Sequence, residues 1–112
     1  MFRNFVTFSF AQNFQLSCRN LELPTLKKER LLRSADCMLE HFSKSVQTSD
    51  RKVEMAALFV ALTCLRDCKE VLDEASDVPE EVRSQFEFLH PRLEQLCLDR
   101  ADGEKGQLRM FG

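Results

Sequence analysis

Two histidines, five cysteines and an adjacent pair of glutamates are the residues in this chain best suited to chemistry. His41 and Lys44 form an H-x-x-K pattern that shares one helix face and faintly echoes a histidine phosphotransfer site. Such a site wants a small glycine after the lysine, where this chain has Ser45. An ordinary surface histidine is the plainer reading. Cys64 and Cys68 stand at i and i+4 on a common face. A zinc ion there would need further ligands from Cys97 or a histidine. The simpler reading of all five cysteines, with Cys18 and Cys37, is free thiols in a reducing compartment. Glu80 and Glu81 open a helix, where their charge suits the helix dipole. His90 precedes Pro91 and ends a turn. No glycine-rich phosphate loop, HExxH, nucleophile elbow or CxxC is present. The expectation is therefore a protein that is not an enzyme, with no catalytic residue, cofactor or metal.

Lys plus Arg is 16 and Asp plus Glu is 18, so the net charge is −2 and nothing attracts nucleic acid. Hydrophobic residues reach 44% in 112 residues, enough for one core without staples. Only 3 Gly and 3 Pro argue for long helices over a turn-rich β fold. The longest apolar run, Met55 to Leu65, would span roughly 16 Å as a helix, about half a bilayer. No membrane role and a cytoplasmic location are expected, since no secretory signal opens the chain.

The elements that must position these residues read as follows. Val6, Phe8, Phe10, Phe14, Leu16 and Cys18 alternate with Thr7, Ser9, Ala11, Gln15 and Ser17. Period two predicts β-structure, broken at Ala11-Gln12-Asn13 into a hairpin of about 5–10 and 14–19. Leu31, Ala35, Met38, Phe42 and Val46 predict a helix over about 25–47. Thr48, Ser49 and Asp50 supply caps. A second helix follows over about 50–75, with Val53, Ala57, Val60, Cys64, Cys68 and Val71 on one stripe. Ala56, Leu58, Ala61, Leu62 and Leu65 make it apolar nearly all round, so several partners must cover it. The third helix, about 79–100, starts at Pro79 and is expected to kink near Pro91. The predicted fold is α+β, mostly α, one domain over 1–102 with a flexible polar tail at 103–112, dimerising through the second helix.

This order of elements resembles the ZapA family of small cell-division proteins that associate with FtsZ. The resemblance rests on Val6–Phe10 and Phe14–Cys18 as hairpin strands, and on Ala35-Asp36 between leucines in the first helix. It rests further on Met55-Ala56-Ala57-Leu58 opening the second helix, with Phe59 where the family has Asn. Ala11-Gln12-Asn13 stands in place of the family's Gly-centred turn and its basic neighbour. It covers about residues 5–75. It implies a homo-oligomeric scaffold that cross-links FtsZ filaments in bacterial cell division, dimers pairing again through a C-terminal coiled coil.

In that reading the oligomer interface comprises Val53, Ala56, Ala57, Val60 and Cys64 with Phe8 and Phe10 from the hairpin. Arg19, Lys27, Lys28 and Glu29 form the rim that meets the filament. The rival is a small helical interaction module, such as a secretion chaperone or adaptor, with the third helix folded back over Met55–Leu65.

Overall fold

A computed structural model of the chain describes residues 3–111, with side chains described over 5–100. Four helices run in order: α1 (Arg3–Arg19), α2 (Thr25–Gln47), α3 (Arg51–Glu74) and α4 (Glu80–Phe111). Each helix touches its two neighbours in a closed ring, α1 on α2, α2 on α3, α3 on α4 and α4 back on α1. The links 20–24, 48–50 and 75–79 are short, so consecutive helices are antiparallel. The result is an up-down-up-down four-helix bundle measuring 52 × 23 × 21 Å. Two helix diameters set its width, and α4, about 48 Å long, sets its length.

The β-hairpin expected over 5–19 is absent, and no strand occurs among the described residues. Helix α1 takes its place. The alternating set contains Phe10, Phe14 and Cys18 at i, i+4 and i+8, which is also one side of a helix. Burial follows the helical period. Ala11 and Gln15, on the polar side of the expected hairpin, are only 0% and 8% exposed. Val6 and Leu16, on its apolar side, are 62% and 58% exposed. Arg3–Arg19 contains neither Gly nor Pro, and no non-glycine residue with positive φ occurs among the described residues to turn a hairpin. A two-stranded ribbon would also leave one side of the bundle open, whereas a fourth helix closes it.

Local signals set the helix ends. Cys18 O accepts from the Leu21 amide at 3.2 Å, and buried Leu21 closes the end of α1. Pro24 starts α2 with extended backbone and accepts from the Lys28 amide at 2.9 Å. Asp50 caps α3, its carboxylate accepting from the amides of Lys52 at 2.9 Å and Val53 at 3.3 Å. Helix α4 continues through Pro91, and its backbone through Gly103, past the end expected at about residue 100. The Phe88 carbonyl, in the turn Pro91 interrupts, accepts from the Arg92 guanidinium at 2.8 Å. The polar tail expected at 103–112 falls where no side chain is described.

The core is Phe14 from α1, Leu31, Met38 and Phe42 from α2, Leu58 and Leu65 from α3, and Leu89 and Leu93 from α4, all fully buried. Each contributes about 1.5–3 kcal/mol by leaving water. Phenylalanines seal the seams of α1. Phe8 meets Phe42 edge-on at 5.5 Å, Phe10 meets Phe88 at 4.4 Å, and Phe14 meets Phe86 at 6.0 Å.

Polar contacts at the core's margin fix the register. Gln15 Nε2 donates to Asp36 Oδ1 at 2.7 Å, locking α1 to α2. Asp67 on α3 accepts from the Arg30 guanidinium and the Ser34 hydroxyl of α2, and Arg30 also reaches Glu70 at 2.9 Å. Arg66 pairs with Glu94 at 3.1 Å and Arg100 with Glu54 at 3.0 Å, joining α3 to α4. The Arg30 hydrogen bond, helped by Ser34, holds the Asp67 carboxyl below its ordinary range.

Two expectations follow. Leu16→Lys should shift stability by less than about 0.5 kcal/mol, while Ala11→Lys should cost about 3 kcal/mol or more by burying a charge. Urea denaturation distinguishes them, and a hairpin would reverse the order. The depressed Asp67 pKa means its stabilisation is present above the unfolded value near 3.8 and is lost as pH falls through the lower folded value. The Tm gap between the wild type and Asp67→Asn should therefore be full at pH 7 and shrink below about pH 4.

Candidate docking surface

Helix α3 divides its apolar residues between two faces. Leu58, Ala61, Leu62, Leu65, Cys68, Val71 and Leu72 face the core. Val53, Ala56, Phe59 and Val60 are left on the outside. Val53 is 36%, Phe59 45% and Val60 39% exposed, a run of apolar surface left uncovered among the described residues. Much of the inward stripe is thus the set that widened the helix in sequence, while Val53 and Val60 lie outside. Folding α4 back onto α3 covers one flank and α2 another, but not this one.

The outer face forms one wall of a shallow groove of about 300 Å³, lined by His41 and Lys44 of α2 and by Val53, Ala56, Ala57 and Val60 of α3. The α3 residues recur at i, i+3, i+4 and i+7, one helical stripe. Ala56 and Ala57 end at Cβ, and this makes room for the groove. Lys44 puts one cation on its rim, with the His41 imidazole one turn away. Between Met55 and Leu65 there is no charge at all, and Glu54 is drawn aside to Arg100.

Four of the expected interface residues, Val53, Ala56, Ala57 and Val60, meet here, though Ala57 is only 4% exposed and belongs to the groove floor. Cys64, one turn on from Val60, is half-buried against Cys37. Phe8 and Phe10 lie elsewhere, on α1, packed against Phe42 and Phe88 of their own chain. Arg19, Lys27, Lys28 and Glu29 gather at the opposite end of the bundle. Lys28 Nζ donates to the Arg19 carbonyl at 2.8 Å and to that of Leu21, and Lys27 Nζ donates to the Glu74 carbonyl at 3.3 Å. The two lysines thus cap the C-termini of α1 and α3, where the dipole favours cations. Arg19 pairs with Asp36 at 3.4 Å, and Glu29 is exposed. Periodicity revealed the stripe; the capping lysines had no signal in sequence, because their acceptors are carbonyls of distant helix ends.

No group of three metal-ligating side chains occurs among the described residues. Cys68 and Cys97 are buried, and burial raises both thiols, Cys97 to about 11. His90 stacks on Phe86 at 5.2 Å, away from His41. A second groove, between α1 and α4, is lined by Phe10, Asn13, Glu81, Ser84, Gln85 and Phe88. No described helix is long and apolar enough to cross a membrane. Comparison with protein-family models, curated proteins and solved structures finds no match. The fold and surface define a four-helix bundle with an uncovered apolar face on α3.

Lys28→Ala should cost about 1 kcal/mol through the freed helix-end carbonyls. Differential scanning calorimetry should show this as a Tm fall of roughly 4–8 °C.

Proposed function

We propose that this protein is a non-enzymatic, self-associating helical module whose α3 faces pair across a two-fold axis. The observation that carries the reading is the uncharged outer stripe of Val53, Ala56, Phe59 and Val60 on a bundle whose interior is already filled. A soluble monomer gains nothing from such a stripe, and a second copy hides it. Two-fold pairing sets the stripe against itself, and from Met55 to Leu65 no like charges collide. Ala56 at its centre lets the helix axes approach closely. A dimer presents every other surface twice, which suits a scaffold or adaptor that gathers partners by avidity. Cross-linking of FtsZ is the specific form of this reading that the ZapA resemblance supplies. It draws its weight from the sequence cues in α2 and α3, since its hairpin cue is replaced by α1.

Light scattering over a dilution series tests the proposal. The wild type should have the mass of a dimer, and Val60→Glu should be monomeric yet keep the wild type's helical circular dichroism, its site being exposed in the lone bundle. Ala57→Glu should instead cost about 3–5 kcal/mol, because its carboxylate would be buried. A wild type that is monomeric throughout overturns the reading.

A further inference from the structure

We propose that Cys37 and Cys64 form a peroxide-responsive dithiol. A hydroperoxide oxidises Cys37, and Cys64 then closes a disulfide that joins α2 to α3. This inference does not depend on self-association.

The helix pair brings the two thiols together from 27 residues apart in sequence. Their sulfurs lie 2.7 Å apart, with Cys64 donating to Cys37. A disulfide needs about 2.05 Å, so closure takes a shift well under about 1 Å. Both side chains are half-buried and reach the surface beside the α2–α3 groove. The other cysteines lie in the core: Cys18 and Cys68 are fully buried, and Cys97 is 2% exposed. Only the Cys37–Cys64 pair therefore combines proximity with access.

The surroundings assign the roles. His41 Nδ1 lies 2.9 Å from the Cys37 carbonyl oxygen. A carbonyl can only accept, so Nδ1 carries the hydrogen. The same N–H lies 3.5 Å from Cys37 Sγ. Cys37 Sγ thus faces two hydrogen-bond donors, the His41 imidazole and the Cys64 thiol. Burial first, then the hydrogen bond to Cys37, pushes the Cys64 thiol up to about 12. Cys37 is the group that attacks and Cys64 the group that resolves.

The chemistry balances. The Cys37 thiolate attacks the outer oxygen of the hydroperoxide; the O–O bond breaks and the alkoxide leaves as alcohol after taking a proton. Cys37 is then a sulfenic acid. The Cys64 sulfur attacks Cys37 Sγ, the S–O bond breaks, and the departing hydroxide takes the Cys64 proton to leave as water. Two thiols lose two electrons, and the hydroperoxide gains them. A thiol reductant reverses the bridge by exchange.

The test treats the purified full chain with hydrogen peroxide and then counts thiols in denaturant. Two of the five should be lost. Non-reducing peptide mapping should join the Cys37 and Cys64 peptides within one chain. Closure of this loop should raise the Tm by on the order of 10 °C, reversibly with dithiothreitol. With dimedone present, Cys64→Ser should trap a sulfenic acid on Cys37, while Cys37→Ser should give none on Cys64. Retention of all five thiols, a bridge between other cysteines, a bridge only between chains, or trapping on Cys64 overturns the proposal. The mapping uses the wild type, so it decides the matter even if a variant folds poorly.

Discussion

Helix α3 carries more apolar surface than a single neighbour can cover, and the rest of the molecule is arranged around that excess. Leu58, Ala61, Leu62 and Leu65 need walls on more than one side. Helix α2 supplies one and α4 another, and α1 closes the ring opposite them. Phe14, fully buried on α1, completes a core that α2, α3 and α4 would otherwise leave open to water. Filling that core still leaves Val53, Phe59 and Val60 outside, since a helix in a four-membered ring always keeps one flank free.

Apolar burial has no direction, so it brings the helices together without choosing their register. The polar margin makes that choice. Asp36 receives Gln15 and Arg19 from α1, and Asp67 receives Arg30 and Ser34 from α2. Lys27 and Lys28 anchor the helix ends where α1, α2 and α3 converge. The same register sets Cys37 opposite Cys64 and His41 beside the groove. The thiol pair and the groove are thus neighbours on one helix–helix seam.

Amphipathic period, cap chemistry and composition made much of this molecule legible in sequence. The bounds of α2 and the Asp50 cap of α3 follow from spacing and from the Thr48-Ser49-Asp50 run. The surplus apolarity of residues 55–65 is legible as well, and so is the absence of familiar catalytic motifs, because both are properties of the chain order. Val53, Ala56, Ala57 and Val60 could be gathered as a stripe on helical spacing alone.

Tertiary packing settled what spacing left open. Phe10, Phe14 and Cys18 satisfy period two and the i, i+4 series equally, so residues 5–19 carry an ambiguity that local sequence cannot resolve. Helix α1 wins because Ala11 and Gln15 can then enter the seam with α2 and α4, where a ribbon would expose half of it. Which side of α3 faces inward is likewise decided by the helices laid against it. The Cys37–Cys64 pair and the capping roles of Lys27 and Lys28 join residues remote in sequence. Such contacts leave no periodic trace, since they exist only once antiparallel helices have brought their faces and ends together.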